Sequence, residues 1–424
     1  MRRIRIPMIV AVIAVVAASV AATIPAGAQS TGAPGVTKTE IKVGGVVGKT
    51  NPTGRPYENG FVGAQAYFDL INKQGGVNGR KIKLVAKYDD QTRDSKNVSA
   101  VRSLVEEDKV FAVLPVETQT FAGADYLVQK GVPTFGWNIN SEWQKGPNLF
   151  AAGGSYLCFT CPIIAPTFIA QQVGAKKVGL LAYGSSPSSA QCSQGQEAAL
   201  DKWGPKVGFT DRSLSFGFSA NDVSAAVQAV KDNGVDFVAS CMDINGEVNF
   251  NKALKQAGIT NVQYYAPEGY DAEVIKQLGT ELDGFTFPID FLPFENAKES
   301  KEMQLYIKEI KKRGQEPGEH SLVGWNSAQL LVEGLKQAGK NPTQKGVVDA
   351  INSITDWTYN GMRPTVDWTT AHGPFPPGSK SCSAYVTVKG GKFVPVYNQP
   401  GKPYVCFSQN PYPATLGSPE YASN

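Results

Sequence analysis

The chain is poor in the residues and motifs that most enzymes use for catalysis. Of its 424 residues only 2 are histidines, and 18% are charged. His320 and His372 have no metal ligand at the usual helical or loop spacing, so each is expected to be structural or merely exposed. No serine occupies the G-x-S-x-G turn of a hydrolase, and no G-x-G-x-x-G dinucleotide motif follows the first predicted strand. The sequence thus indicates a protein that is not an enzyme and needs no cofactor or metal.

The charge balance is almost even. The chain has 41 basic and 37 acidic residues, and three of the basic residues, Arg2, Arg3 and Arg5, lie at the N-terminus. Without these three arginines the net charge is close to zero. A protein of this balance has no electrostatic reason to bind nucleic acid or an anionic membrane.

Residues 1–28 have the pattern of an export signal. Three arginines precede an apolar stretch at residues 8–22, and the small residues Ala26, Gly27 and Ala28 form an A-x-A cleavage site. The apolar run is short for a membrane span, and no later stretch is apolar for long enough to be one. The residue after the predicted cleavage site is Gln29 and not a cysteine, so a lipid anchor is not expected. The sequence predicts a protein exported to a periplasm or a similar extracytoplasmic space.

All six cysteines follow the predicted signal, and an oxidising compartment favours three disulfides. Six cysteines allow 15 pairings in principle. Proximity in the expected fold favours Cys192 with Cys241, at the ends of adjacent strands, and Cys382 with Cys406, across a C-terminal hairpin. This leaves Cys158 with Cys161, either as a structural bond or as a C-x-x-C redox motif. The structural bond is favoured because the βαβ context of an oxidoreductase is missing.

Strand and helix patterns alternate along most of the chain. Short β-branched runs at 41–47, 81–88, 110–114 and 132–137 are separated by segments with apolar residues at helical spacing. A second series of the same kind begins near residue 153 and includes a strand pattern at 177–183. Helical patterns follow at 298–312, 327–337 and 347–353. The alternation predicts an α/β protein with two lobes, each a parallel sheet flanked by helices. A hairpin is expected around Gly390 and Gly391.

Several segments together resemble a known family. They are residues 41–47 (IKVGGVV), 60–85 (GFVGAQAYFDLINKQGGVNGRKIKLV), 130–133 (KGVP), 252–258 (KALKQAG) and 267–269 (PEG). In this order and spacing they resemble the leucine/isoleucine/valine-binding protein family, the solute receptors of ABC importers. The resemblance implies a type I periplasmic-binding-protein fold, with two lobes joined by three crossings. The N-terminal lobe would take residues 39–152 and 287–362, and the C-terminal lobe residues 153–286 and 363–424.

The resemblance also implies where a solute would bind in the N-terminal lobe. The family's carboxylate-binding hydroxyl falls at Glu117 or Thr118, and Thr118 is favoured because a hydroxyl suits an anion. The following small-residue segment falls at 138–140, where Asn138 and Asn140 depart from the family's pattern. Two aromatic residues, Tyr57 and Trp137, are expected to line the cleft.

In the C-terminal lobe, the family's ammonium-binding glutamate matches Glu268. Its usual tyrosine is replaced by Asp243, which either faces the solute or caps the next helix. Two acidic residues facing one solute would favour a basic or amine-bearing ligand.

The predicted function is therefore capture of an amino acid or similar small amphipathic solute for an ABC permease in the membrane. The receptor is expected to be a monomer that closes on its solute by a hinge motion. Two other classes remain open. One is a ligand-sensing module of a signalling system, and the other is an exported amide or ester hydrolase.

Overall fold

A computed structural model describes residues 32–155 and 161–423. The predicted signal segment 1–28 and Cys158 lie outside the described residues. Within the described part of the chain, no helix combines the length and apolar character needed to cross a bilayer.

The first sheet has five parallel strands in the order β2-β1-β3-β4-β5. The central strand β3 is buried at every residue, because helices cover both faces of the sheet. The strands are β1 (Glu40–Val47), β2 (Lys81–Asp89), β3 (Ala112–Glu117), β4 (Thr134–Gly136) and β5 (Leu149–Ala151). The helices between them are α1 (Asn59–Lys73), α2 (Asp94–Glu106) and α3 (Ala124–Lys130). A short 3₁₀ helix, Ser141–Lys145, precedes β5.

The second sheet is mixed, whereas a purely parallel one was predicted. Five strands are parallel: β6 (Lys177–Tyr183), β7 (Lys206–Leu214), β8 (Phe237–Cys241), β9 (Gln263–Tyr265) and β10 (Phe285–Ile289). Four antiparallel strands extend its β10 side: β11 (Lys380–Lys389), β12 (Lys392–Val396), β13 (Tyr404–Ser408) and β14 (Glu420–Ala422). The accompanying helices are α4 (Ile164–Gln172), α5 (Pro187–Trp203), α6 (Ser224–Asn233), α7 (Ile244–Gln256) and α8 (Ala272–Leu278).

After β10 the chain returns to the first sheet. It forms α9 (Lys301–Lys311), α10 (Glu319–Gln337) and α11 (Gln344–Ile351) before re-entering the second sheet at β11. Helix α10 packs on α1 and on strands β3 and β4. The outgoing and returning segments meet where the Leu292 N–H donates to the Met362 carbonyl at 2.8 Å. The exact bounds of the two lobes stay a prediction.

Helices α1 and α10 approach each other through glycines. A Cβ added at Gly63 would lie 1.7 Å from the Ser321 carbonyl oxygen, and one at Gly324 would lie 1.8 Å from the Gly60 carbonyl oxygen. No side chain fits at either position. This contact fixes the N-terminal end of α10, and with it the side chains that α10 presents to the loops after β1 and β3.

Two predicted disulfides are confirmed. Cys192 bonds to Cys241 and Cys382 bonds to Cys406. The first joins helix α5 to the end of β8, although it was expected to join two adjacent strands. The second joins directly paired residues of β11 and β13. Cys161 is also disulfide-bonded, and its predicted partner Cys158 lies outside the described residues.

Candidate functional site

A cavity of about 460 Å³ lies at the carboxyl ends of both sheets. The first sheet and its associated helices contribute loops after β1, β3 and β4 and the start of α10, and the second contributes loops after β6, β8 and β9. In α/β proteins ligands bind beyond the carboxyl ends of parallel strands, since the loops there converge. Five of the seven residues proposed as solute contacts line this cavity: Tyr57, Trp137, Asn138, Asp243 and Glu268.

Glu268 pairs with a cation of this protein. Arg55 Nε donates to Glu268 Oε1 at 2.5 Å, and both side chains are buried. Arg55 lies in the loop after β1, whereas Glu268 follows β9, so this ion pair joins the two halves of the cleft. Burial alone would raise the pKa of Glu268, but the charges of Arg55 and His320 lower it to about 2. Glu268 is therefore ionised at neutral pH.

His320, the second residue of α10, is buried between two carboxylates. Its Nδ1 lies 2.7 Å from Glu117 Oε1, and its Nε2 lies 3.4 Å from Glu268 Oε1. Burial alone would lower the imidazole pKa, but hydrogen bonds and charge from Glu117 and Glu268 raise it to about 10. His320 is thus a second buried cation facing Glu268. The expectation that it is structural or exposed misses this role.

Two aromatic rings pack on the His320 imidazole. The Tyr57 ring lies edge-on to it at 4.8 Å and the Trp137 ring at 5.3 Å, measured between centroids. The Tyr57 hydroxyl accepts a hydrogen bond from Gln119 Nε2 at 3.2 Å. These rings exclude water from the ion pairs, which strengthens the electrostatic attraction between their charges.

Asp243 caps helix α7 and accepts a hydrogen bond from Tyr183. Its Oδ1 accepts from the Asn245 N–H at 2.9 Å and the Gly246 N–H at 3.4 Å, and its Oδ2 accepts from the Tyr183 hydroxyl at 2.5 Å. Burial, with the charge of Glu268 second, raises the Asp243 pKa to about 6. The alternative that Asp243 is a helix cap therefore describes its contacts in this structure.

The other two proposed contacts, Thr118 and Asn140, are not among the residues that line the cavity. The Thr118 hydroxyl donates to Asp90 Oδ1 at 3.0 Å, and Asn140 Nδ2 donates to the Gln119 carbonyl at 3.1 Å. In this structure they position the loops after β2, β3 and β4. Asn138 does reach the cavity, where its Nδ2 donates to the Gly154 carbonyl at 2.8 Å and its Oδ1 has no hydrogen-bond partner.

The rest of the lining is largely apolar. It includes Ile163, Phe216, Met242, Tyr265 and Val323. A second cavity of about 620 Å³ adjoins the first and shares Asn138, Asp290 and Arg363 with it. Arg363 is buried, with Nη1 2.6 Å from Asp290 Oδ2 and Nε donating to Asn326 Oδ1 at 2.7 Å. In the ranges 32–155 and 161–423, no group of three or more acidic, histidine or cysteine side chains is placed to hold a metal ion.

Comparison with known proteins agrees with this geometry. The family model described as periplasmic binding protein matches residues 40–392. An amino acid binding protein from Pseudomonas aeruginosa is 24% identical over 334 residues, which cover 72% of this chain and 83% of that protein.

Solved structures share the fold. A fatty acid ABC transporter substrate-binding protein from Thermomonospora curvata superposes with a TM-score of 0.70 at 17% identity, covering 86% of this chain and 93% of that one. A branched-chain amino acid transporter substrate-binding protein from Streptococcus pneumoniae, in complex with isoleucine, gives 0.68 at 18% identity, covering 84% and 100%. An ABC transporter solute-binding protein from R. palustris, in complex with benzoate, gives 0.67 at 19% identity, covering 84% and 95%.

The predicted type I fold is confirmed by these matches and by the two sheets. The family match extends from β1 to the start of β12, so it includes the whole first sheet, the second sheet through β11, and the loops that line the cavity between the first and the last parallel strand. The chain belongs to the periplasmic binding protein family.

Proposed function

We propose that the protein is an extracytoplasmic receptor that captures a small amphipathic solute, of amino-acid size or somewhat larger, between its two halves for an ABC importer. The observation that carries this proposal is the cavity of about 460 Å³ at the carboxyl ends of both sheets. Its volume lies within the range of small-molecule sites, and its lining is mostly apolar with a few polar groups.

The receptor is proposed to bind its solute without changing it. The hydroxyl of Ser189, which lines the cavity, donates to the Cys241 carbonyl at 2.5 Å. His320 is held between Glu117 and Glu268 as a cation and so is a poor general base. Neither side chain is set up for the nucleophile and base pair of a hydrolase.

An extracytoplasmic location is supported by the two disulfides within the described residues, since such bonds persist in oxidising compartments. The delivery partner is proposed to be an ABC permease, and the receptor is proposed to act as a monomer. The P. aeruginosa relative is described as an amino acid binding protein. The solved structures of the same fold include a fatty acid ABC transporter substrate-binding protein and complexes with isoleucine and with benzoate. The compounds in these descriptions indicate the size range that we propose for the solute.

The test is a binding screen on protein that has been unfolded and refolded to remove bound solute. Amino acids, short aliphatic acids and aromatic acids are screened by the shift in unfolding temperature, and hits are measured by calorimetry. We expect at least one class to bind with a micromolar or lower dissociation constant and to be recovered unchanged by mass spectrometry. Chemical conversion of a bound compound, or no binding across all three classes, would contradict the proposal.

A further inference from the structure

All but one of the carboxylates that line the cavity have a hydrogen-bond or ion-pair partner within the protein. There are four of them: Asp243, Glu268, Asp290 and Glu319. Glu268 pairs with Arg55, and Asp290 pairs with Arg363. Asp243 accepts from the Tyr183 hydroxyl and two backbone N–H groups.

The fourth carboxylate, Glu319, is the first residue of α10 and adjoins His320 in the chain. Burial raises the pKa of Glu319 to about 7, so a substantial fraction of it is protonated at neutral pH. A protonated carboxyl group donates a hydrogen bond and carries no charge. Glu319 is therefore not a permanent anion of the cavity.

The cations of the same region are Arg55, His320 and Arg363. Arg55 pairs with the lining carboxylate Glu268, and Arg363 pairs with the lining carboxylate Asp290. His320 faces Glu268 and packs against the rings of Tyr57 and Trp137. A solute ammonium entering this site would meet these cations, and of the four lining carboxylates only the partly protonated Glu319 has no partner of its own. Burial of a charge without a partner is costly, and like charges repel in a site from which water is excluded.

The uncharged lining offers other contacts. Gln119 Oε1 and Asn138 Oδ1 are buried and have no hydrogen-bond partner. These amide oxygens can accept hydrogen bonds from a neutral donor group of the solute, such as a hydroxyl. The apolar side chains from both sheets would cover a hydrocarbon or aromatic body.

We propose that the solute carries no charged amine, and that it is an apolar aliphatic or aromatic molecule whose polar end is neutral or a carboxylate. Arg55 fills the cation position beside Glu268, so the protein itself supplies the charge that an amino acid would bring. This inference rests on the proposed function and narrows its substrate class. It replaces the prediction, made from Glu268 and Asp243 together, of a basic or amine-bearing ligand.

The experiment compares pairs of probes that differ only in the amine. The pairs are leucine with 4-methylpentanoate and phenylalanine with 3-phenylpropanoate, each titrated into refolded protein by calorimetry at pH 7. The expected result is that the amine-free acid of at least one pair binds 10-fold or more tightly than its amino acid. Tighter binding of the amino acid in either pair would overturn the inference.

Variants at the ion pair test the cause. In Arg55→Ala the released Glu268 carboxylate can accept a solute ammonium, so the preference should shift toward the amino acid by 10-fold or more. The double variant Arg55→Ala/Glu268→Gln should lose that shift. Lys49→Ala, which removes an exposed cation of the same loop, serves as the matched control. A selectivity ratio that is the same in Arg55→Ala as in the wild type would also overturn the inference.

The outcomes separate this inference from the proposed function. Arg55→Lys keeps a cation and reports on folding, with an expected selectivity between those of wild type and Arg55→Ala. If only amino acids bind, the proposed receptor function stands and the inference of an amine-free solute is wrong. If no compound class binds in the wider screen, both the proposed receptor function and the inference are contradicted.

Discussion

At the scale of single residues, four buried charged groups form a chain across the cleft. Arg55 contacts Glu268, Glu268 faces His320, and His320 contacts Glu117. His320 lies in the first turn of α10, where the helix dipole disfavours a cation. The two carboxylates offset both this effect and the cost of burial, which explains why its pKa is raised rather than lowered.

This arrangement predicts a pH dependence of stability. The His320 pKa is about 10 in the folded protein and about 6.5 in the unfolded chain. A raised pKa stabilises the folded state fully below about pH 6.5, and that stabilisation is lost as the pH rises toward 10. Glu117 and Glu319, whose pKa values are raised to about 7, face the same histidine and are mostly ionised above pH 8. We therefore expect the free energy of unfolding, measured in urea, to fall between pH 8 and 10.

The variant His320→Gln should reduce the slope of that fall. His372→Gln is the matched control, because burial lowers the pKa of His372 to about 4 and it does not titrate in this window. The same slope in wild type and His320→Gln would contradict the assignment of a charged His320.

Only part of this site could be predicted from the sequence. Five residues were predicted to lie in the cleft and do line the cavity: Tyr57, Trp137, Asn138, Asp243 and Glu268. His320 was not foreseen, because its partner Glu117 lies 203 residues away and no local spacing connects them. Arg55 was missed for the same reason, since its contact with Glu268 spans 213 residues.

At the scale of elements, the packing of α1 on α10 controls the position of His320. The two helices meet where Gly63 faces the Ser321 backbone and Gly324 faces the Gly60 backbone. The sequence predicted α10 to begin at residue 327, but the helix extends from Glu319. Its first turns are buried on most sides, so no polar face marks the start of the helix, and the amphipathic pattern appears only later.

Gly324→Ala should separate the two helices. Its Cβ would lie 1.8 Å from the Gly60 carbonyl oxygen, and overpacking of this kind costs about 1–3 kcal/mol. We expect that loss in the free energy of unfolding, together with weaker solute binding because His320 moves. Lys336→Ala, at an exposed position of the same helix, should change stability by less than about 0.5 kcal/mol. Equal stability of Gly324→Ala and wild type would contradict the close contact.

The disulfide between α5 and β8 provides a second test at this scale. Cys192 and Cys241 both line the first cavity, and replacing both by serine should cost about 2–5 kcal/mol of stability and weaken solute binding. The Cys382→Ser/Cys406→Ser variant removes a bond outside that cavity and should lower stability with less effect on binding. Equal effects of the two pairs on affinity would contradict the assignment of the first cavity as the site.

Strand prediction succeeded where burial was complete. The predicted strand 177–183 coincides with β6, which is buried except for its first residue. In contrast, β7 was not predicted, because it is an edge strand with a partly exposed, polar sequence. The strands β13 and β14 were missed in a tail rich in proline and tyrosine. There the pairing of β13 with β11, and of β14 with β13, decides the structure rather than local periodicity.

At the scale of the whole molecule, two sheets present their carboxyl ends to one cavity, and charged contacts connect them. Besides the Arg55–Glu268 pair, Asn245 Nδ2 at the start of α7 donates to the Thr53 carbonyl of the loop after β1 at 2.7 Å. Both contacts join the two halves of the cleft in this structure. A solute that contacts both halves would favour closure over opening by its differential affinity for the two states.

The central claim is that the two halves close on a solute, and small-angle X-ray scattering tests it most directly. Refolded solute-free protein is compared with the same protein saturated with the tightest-binding compound of the screen. The account predicts a smaller radius of gyration and a shorter maximum dimension in the bound state. Superimposable scattering curves, at a solute concentration where calorimetry shows full occupancy, would contradict it.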